Sequence, residues 1–187
     1  MNKWHQHFLD WFLVKKEPYQ DALTLRRIAL VHPKLRYEAI KMYIEICEAV
    51  SGRVVVRFSH TLRTPEEQQA LFEQGRTTPG NIVTNAQAGQ SFHNYGLAID
   101  IVLLVDKDGN GTFETASWST IADFDGDGKE DWMEVVEICE KYGWQWGLIN
   151  SHGKRYDKPH FQKTFGYTIA QLRAMPKDSQ GYVILEK

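Results

Sequence analysis

Cysteine is scarce in this chain: Cys47 and Cys139 are the only two among 187 residues, so a disulfide-dense scaffold is excluded. Long hydrophobic runs are missing as well. The longest, Leu97 to Val105, is interrupted by Asp100 and is far too short to cross a bilayer as a helix. Charge of one sign is also lacking, with 22 Lys and Arg against 24 Asp and Glu. That balance, with 42% hydrophobic residues, excludes an intrinsically disordered chain. Phe8 to Val14 is a short apolar stretch containing Asp10, with no small-residue cleavage site after it, so no secretory signal is expected. No repeat of solenoid length and no low-complexity linker is present. The expectation is one soluble domain with a real core.

What is there is unevenly placed. Between Asp106 and Glu134 stand nine acids and two bases, leaving 20 bases against 15 acids elsewhere. A block that acidic implies a solvated loop or a cation site. The basic remainder suits an anionic polymer but is too diffuse to argue for nucleic acid.

The punctuation of the chain predicts its elements. Leu35, Ala39, Tyr43, Ile46 and Val50 recur at helical spacing until Gly52. Val54 to Phe58 is β-branched and reads as a strand. Thr64, Pro65 and Glu67 make an N-cap, a first-turn proline and a capping box for a helix that Gly75 stops. Residues 76–92 read as a long loop, and Leu97 to Val105 as a central strand. Trp132 to Tyr142 has a helical stripe, Trp144 to Leu148 and residues 159–162 read as short strands, and Thr168 with Gln171 opens a last helix before Pro176. Helices flanking a few strands, without a βαβ rhythm, predict an α+β fold.

Asp100 is the residue out of place. It shares a strand face with Ala98 and Val102, where an unpaired carboxylate is costly. Arg57, Arg63 or a metal ion would satisfy it. His93 lies seven residues earlier in a turn, and His160 follows the rigid Asp157-Lys158-Pro159. Two His and one Asp with a fourth position for water is the donor set of a catalytic zinc shell. His5, His7, His32, His60 and His152 remain further candidates.

Ser91-Phe92-His93-Asn94-Tyr95-Gly96-Leu97-Ala98-Ile99-Asp100, followed by Asp157-Lys158-Pro159-His160-Phe161, resembles the paired signature S-x-H-x-x-G-x-A-x-D and D/E-x-P-H of a bacterial cell-wall zinc peptidase family. That family includes VanX/VanY-type D,D-peptidases, phage-lysin L-alanyl-D-glutamate endopeptidases and the Hedgehog signalling domain. Arg63-Thr64-Pro65-Glu66-Glu67-Gln68, Gly75-Arg76-Thr77 and Pro79-Gly80 are similar to the endopeptidase branch in particular. The resemblance covers roughly residues 50–168. It implies a small antiparallel sheet flanked by helices, zinc ligands at His93, Asp100 and His160, and Asp157 as general base. It also implies Arg63 as the group that stabilises the oxyanion, and Ser91 as a substrate contact. The chain departs from lysin-type members after Trp146-Gly147, where Leu148 to His152 replaces a Gly-Gly-Asp-Trp-like stretch. The implied partners are peptidoglycan stem peptides, with no nucleic acid, no membrane span and a monomeric chain. The implied reaction is L-alanyl-D-glutamate hydrolysis, with D-alanyl-D-alanine cleavage by a carboxypeptidase or dipeptidase as the alternative. Such a protein acts on the cell wall if released, and otherwise in the cytoplasm.

The acidic block holds a second motif. Asp123, Asp125, Asp127, Gly128, Lys129 (through its carbonyl), Asp131 and Glu134 fit the calcium-loop pattern D-x-D-x-D-G-x5-E at positions one, three, five, six, seven, nine and twelve. Glu130 at position eight, apolar in paired loops, implies that this one stands alone. Asp106, Asp108 and Asn110 begin a partial copy that ends on Ser117 instead of an acid. A calcium-dependent wall-binding module without turnover is therefore the rival reading. The expected organisation is a helical lead-in over residues 1–50 packed on a zinc peptidase domain over 51–175. The calcium-loop segment would be inserted at 106–134, and a tail would occupy 176–187.

Overall fold

A computed structural model describes residues 21–149 and 151–186; His5, His7 and the apolar stretch Phe8 to Val14 lie outside the described residues. The chain opens with helix α1 (Ala22–Ile28) and a 3-10 turn over Pro33–Leu35, then α2 (Arg36–Ala49), β1 (Val54–His60) and α3 (Pro65–Glu73). A second 3-10 turn over Phe92–Tyr95 leads into β2 (Ala98–Val105) and β3 (Thr115–Ser117). After the acidic block come α4 (Asp131–Lys141), β4 (Gln145–Ile149), β5 (Arg155–Gln162) and α5 (Ile169–Ala174).

The strands form one antiparallel sheet in the order β1-β2-β5-β4. Strand β5 pairs with the first half of β2, through Ala98 to Asp100, and β3 with the second half, through Leu103 to Val105. That pairing explains the apolar character of β2, which has neighbours on both sides and no exposed edge. Its alternation settles the layers. Ile99, Ile101, Leu103 and Val105 join the buried side chains of α2 (Ala39, Met42, Tyr43, Ile46) and α4 (Trp132, Val135, Val136, Cys139) in one core. The Asp100 face is left for chemistry.

Caps set where the helices begin. Thr64 and Glu67 form the expected capping box on α3, with Pro65 in the first turn, and Thr168 with Gln171 does the same for α5. Asp21 caps α1 through Thr24 N–H and also holds both Nε and Nη2 of Arg57, at 3.0 and 2.9 Å. Arg57 is thus spoken for and is not the partner of Asp100. Residues 176–186 lie against the domain: Tyr182, Val183 and Leu185 are buried, and the Val183 carbonyl meets His32 Nε2 at 2.9 Å. No helix among the described residues is long and apolar enough to cross a membrane.

Candidate metal centre

His93, Asp100 and His160 come from three different elements and meet at one point. The 3-10 turn that carries His93 is capped at its start by Ser91, whose Oγ accepts from His93 N–H while Asn94 Oδ1 accepts from Ser91 N–H. It ends on Gly96, at φ +66°. A Cβ there would stand 2.7 Å from the backbone nitrogen of His32, so glycine is required at the exit of the turn. Strand pairing brings Asp100 opposite His160 on one side and His60 on the other.

The three side chains make a nearly equilateral triangle. His93 Nε2 lies 3.2 Å from His160 Nδ1, and Asp100 Oδ1 lies 3.3 Å from each. Both histidines are largely buried, at 3% and 6% exposure. Their remaining nitrogens fix the tautomers. His93 Nδ1 donates to the Thr61 carbonyl at 2.6 Å, and His160 Nε2 donates to Gln162 Oε1 at 3.0 Å. In the neutral rings, therefore, Nε2 of His93 and Nδ1 of His160 carry lone pairs that face each other and the Asp100 carboxylate. Three acceptors without a proton between them repel, and a cation at their centre removes the conflict. Donors on a tetrahedral ion with bonds of ~2.0 Å stand about 3.3 Å apart, so the spacing fits such an ion.

A proton is the alternative to a cation at this point, and the local charges favour one on His160. Burial works to raise the Asp100 carboxyl, but His93 and His160 hold it well below the usual carboxylate range. Burial likewise opposes protonation of His160, yet Asp100 carries its pKa above the ordinary imidazole value. Arg63 adds a positive charge: its Nη2 lies 3.9 Å from Asp100 Oδ2, and Nη1 donates to Gln68 Oε1 at 3.0 Å. Gln68 is fully buried and anchored in turn on the Ala86 carbonyl. The Arg63 N–H donates to the His93 carbonyl, and its own carbonyl accepts from Asn94, so the backbone of Arg63 is tied to the His93 turn.

Asp157 stands at the rim in an unusual backbone state. Between the pairs Trp146–Phe161 and Leu148–Tyr156, β5 places four residues against one of β4, a wide bulge that contains Asp157 to His160. Asp157 sits there at φ +58°, a conformation that costs a non-glycine residue of order 1–3 kcal/mol. The residue is exposed, but protein atoms crowding its carboxyl raise its pKa; Asp100 adds to that rise, while His160, His93 and Arg63 oppose it.

The other candidate histidines lie elsewhere or at the margin. His32 is engaged by the C-terminal segment, and His152 is exposed beside Ser151 in the β4–β5 connection. His60 is a neighbour, its ring edge-on to His93 with centroids 6.1 Å apart. Thr61, Gln68 and Gln162 also belong to the site; Gln68 closes the stretch from Arg63 that carries the resemblance, while Thr61 and Gln162 stand outside every motif. The only signal of those two in the sequence is a position two residues from Arg63 and from His160.

The acidic block divides in two. Around Asp106 the carboxylate is closed by its own loop, accepting from Gly109, Asn110 and Gly111 N–H, and Asp108 bonds to Asn110. The stretch from Asp123 is different: carboxylate oxygens of Asp123, Asp125 and Asp131 lie within 4.8 Å of one another.

Residues 84–163 match the model of a family described as D-alanyl-D-alanine carboxypeptidase. Ser91, His93, Asp100, Asp157 and His160 all fall within those residues. A protein of Bacillus subtilis, described as peptidoglycan L-alanyl-D-glutamate endopeptidase CwlK, is 43% identical over 115 residues, which are 61% of this chain and 64% of that protein. The chain thus spans just under two thirds of that relative's length. The crystal structure of the Serratia marcescens L-Ala D-Glu endopeptidase ChiX aligns with a TM-score of 0.47 at 21% identity, covering 77% of this chain and 88% of that one.

Proposed function

We propose that this chain is a zinc-dependent peptidoglycan peptidase that hydrolyses the L-alanyl-D-glutamate bond of the stem peptide. The observation that carries the metal assignment is the triangle of His93 Nε2, Asp100 Oδ1 and His160 Nδ1, with edges of 3.2–3.3 Å and both outward ring nitrogens engaged. Two imidazoles and one carboxylate are a zinc donor set, and three protein ligands leave a position for water or substrate. The substrate class rests on the Bacillus subtilis relative, which is named for that reaction and is 43% identical over the shared stretch.

Zinc in such a shell supplies Lewis acidity, lowering the pKa of a coordinated water to ~7 and polarising the scissile carbonyl. The chain's own residues do the rest. Asp157 takes the proton of the attacking water and passes it to the leaving amine. Its raised pKa suits a group that must both accept and release a proton. Arg63, held by Gln68 and 3.9 Å from Asp100, supplies the positive charge for the oxygen on which negative charge develops. Ser91 Oγ accepts from His93 N–H, so its own O–H remains to donate to a substrate carbonyl. No side chain has to act as a covalent nucleophile.

The family description favours a second reading, cleavage of terminal D-alanyl-D-alanine. Mass spectrometry of muropeptides digested by the zinc-loaded protein separates the two. Release of the stem peptide after L-alanine supports the endopeptidase, and loss of a single D-alanine supports the carboxypeptidase. No cleavage of either bond, with zinc bound, leaves the wall-binding reading instead.

A further inference from the structure

The loop Asp123 to Glu134 carries a strain that its own hydrogen bonds leave in place. Asp123 accepts from Gly126 N–H through Oδ1 and from Gly128 N–H through Oδ2, and Asp127 accepts from Lys129 N–H. These bonds shape the turn. Deeper in, Asp131 has no exposed surface. Its Oδ2 accepts from Phe124 N–H at 2.8 Å, but its Oδ1 is buried without a partner. Glu134, at 8% exposure, accepts from Lys129 through Oε1, and its Oε2 is likewise buried and unpartnered. Two buried, unsatisfied carboxylate oxygens in the first turn of α4, beside three further carboxylates, are costly unless a cation joins them. Burial, with the charges of Asp125 and Asp123, pushes the Asp131 carboxyl up to about 6.

One cation already leans toward the loop. Lys129 Nζ lies 3.2 Å from Glu134 Oε1 and 3.7 Å from Asp127 Oδ2, on a side chain that is 66% exposed. It can therefore leave for solvent without disturbing the core.

We propose that Asp123, Asp125, Asp127, Asp131 and Glu134, with the Lys129 carbonyl, form a second metal site that takes Ca2+, and that the Lys129 ammonium is its built-in competitor. Hard oxygen donors, five of them carboxylates, select calcium over zinc. Gly128 stands at φ +93°, with open space where a Cβ would lie, as the sharp turn at position six demands. The site is a clamp between distant parts of the chain. Asp125 Oδ2 accepts from Ser51 N–H in the turn between α2 and β1, at 3.1 Å. Asp131 N–H bonds to the Ala122 carbonyl, and the adjacent Trp132, fully buried, packs its ring 6.0 Å from that of Phe161. Phe161 follows His160, so an ion that fixes the start of α4 also braces the strand beneath the zinc ligands. This assignment stands whether or not the chain proves to be a peptidase.

The test is a titration of the full-length, zinc-loaded chain with Ca2+, read by calorimetry and by thermal melting, together with Tb3+ luminescence excited through the adjacent Trp132. One Ca2+ per chain and a higher melting temperature are expected, with binding retained in His160→Ala. Glu134→Gln should weaken Ca2+ by about tenfold or more, because it removes a charged ligand. Lys129→Met keeps the carbonyl and loses the competitor, so it should bind Ca2+ several-fold more tightly than the parent. No calcium-dependent heat, luminescence or melting shift at millimolar Ca2+ in the parent overturns the site, as does loss of binding in His160→Ala. Unchanged or weaker binding in Lys129→Met overturns the role of the lysine.

Discussion

Gln162 Oε1 sits 3.0 Å from His160 Nε2, two residues further along the same strand, and thereby decides which nitrogen of that ring carries the proton. Residues two apart on a strand share a face, so the pairing is built into β5. The amide is itself steadied, since its Nε2 donates to Gln145 Oε1 on β4.

Gln162→Leu should therefore weaken zinc without removing a ligand. Loss of a partner that orients a metal-bound imidazole costs about 10–100-fold in metal affinity. Competition with a chromophoric chelator measures it, and Gln162→Glu, which still accepts from the ring, should restore most of the affinity. Parent-like affinity in Gln162→Leu would show that the strand alone orients His160.

Much of this was legible in the sequence, and the reason is physical. A carboxylate such as Asp100, in the middle of a buried strand, breaks the hydrophobic pattern and demands a partner. The capping box at Thr64 and Glu67 is written in residue types that do little else so well. Strand β2 gave away its central place by being apolar on both faces. What stayed hidden were the groups that act through ordinary polar atoms. The Thr61 carbonyl that sets the His93 tautomer belongs to the backbone and has no residue signature. Gln68 lies in the stretch that carries the resemblance and Gln162 shares a strand face with His160, but neither residue type announces that it holds a catalytic or metal-binding group. The sequence left Arg57 and Arg63 equal as partners of Asp100. Only the folded chain separates them, because Asp21 holds Arg57 in a two-pronged pair. The bulge in β5 was equally invisible, since four residues against one is a property of two strands together.

Asp21 gives a prediction about stability and acid. Burial tends to raise its carboxyl, but the Arg57 and Thr24 hydrogen bonds and the Arg57 charge outweigh it and lower the pKa below its ordinary 3.8. A carboxyl whose pKa is lower in the folded chain stabilises the fold above its unfolded value. That contribution fades as pH falls through the folded value. Asp21→Asn keeps a cap oxygen for Thr24 N–H but loses the charge on the Arg57 pair, so it should lower the melting temperature at neutral pH by the equivalent of ~1 kcal/mol. The gap from the parent should stay constant down to about pH 4 and close below pH 3.8. A gap that persists into strong acid would mean that the loss is one of packing.

Arg63 and Gln68 should behave as one unit toward catalysis. Arg63→Ala removes the positive charge nearest Asp100 other than the histidines, and loss of an oxyanion-stabilising donor costs about 10²–10³ in kcat. Gln68→Leu leaves the guanidinium in place without its Nη1 partner, so its loss should be smaller and fall on kcat more than on KM. The double variant should be no worse than Arg63→Ala alone, because Gln68 acts only through Arg63. Additive losses in that cycle would assign Gln68 a role of its own.

Asp157→Asn is the sharpest test of the mechanism, because it separates proton transfer from everything else the residue does. The amide has nearly the volume of the carboxylate, and asparagine tolerates a positive φ at least as well as aspartate, so the bulge at φ +58° should persist. Zinc content should also be unchanged, since Asp157 lies outside the ligand triangle. What the amide lacks is basicity: it cannot take the proton of the attacking water. General base catalysis is worth about 10²–10⁴-fold, and turnover should drop by that factor with KM nearly constant. The pH profile adds a second reading. In the parent, activity should fall on the acid side as the crowded carboxyl, raised above its ordinary value, becomes protonated. In Asp157→Asn that acid limb should disappear from the residual activity. Near-normal turnover with the acid limb intact would remove Asp157 from the proton path and leave its left-handed backbone as a purely structural feature of β5.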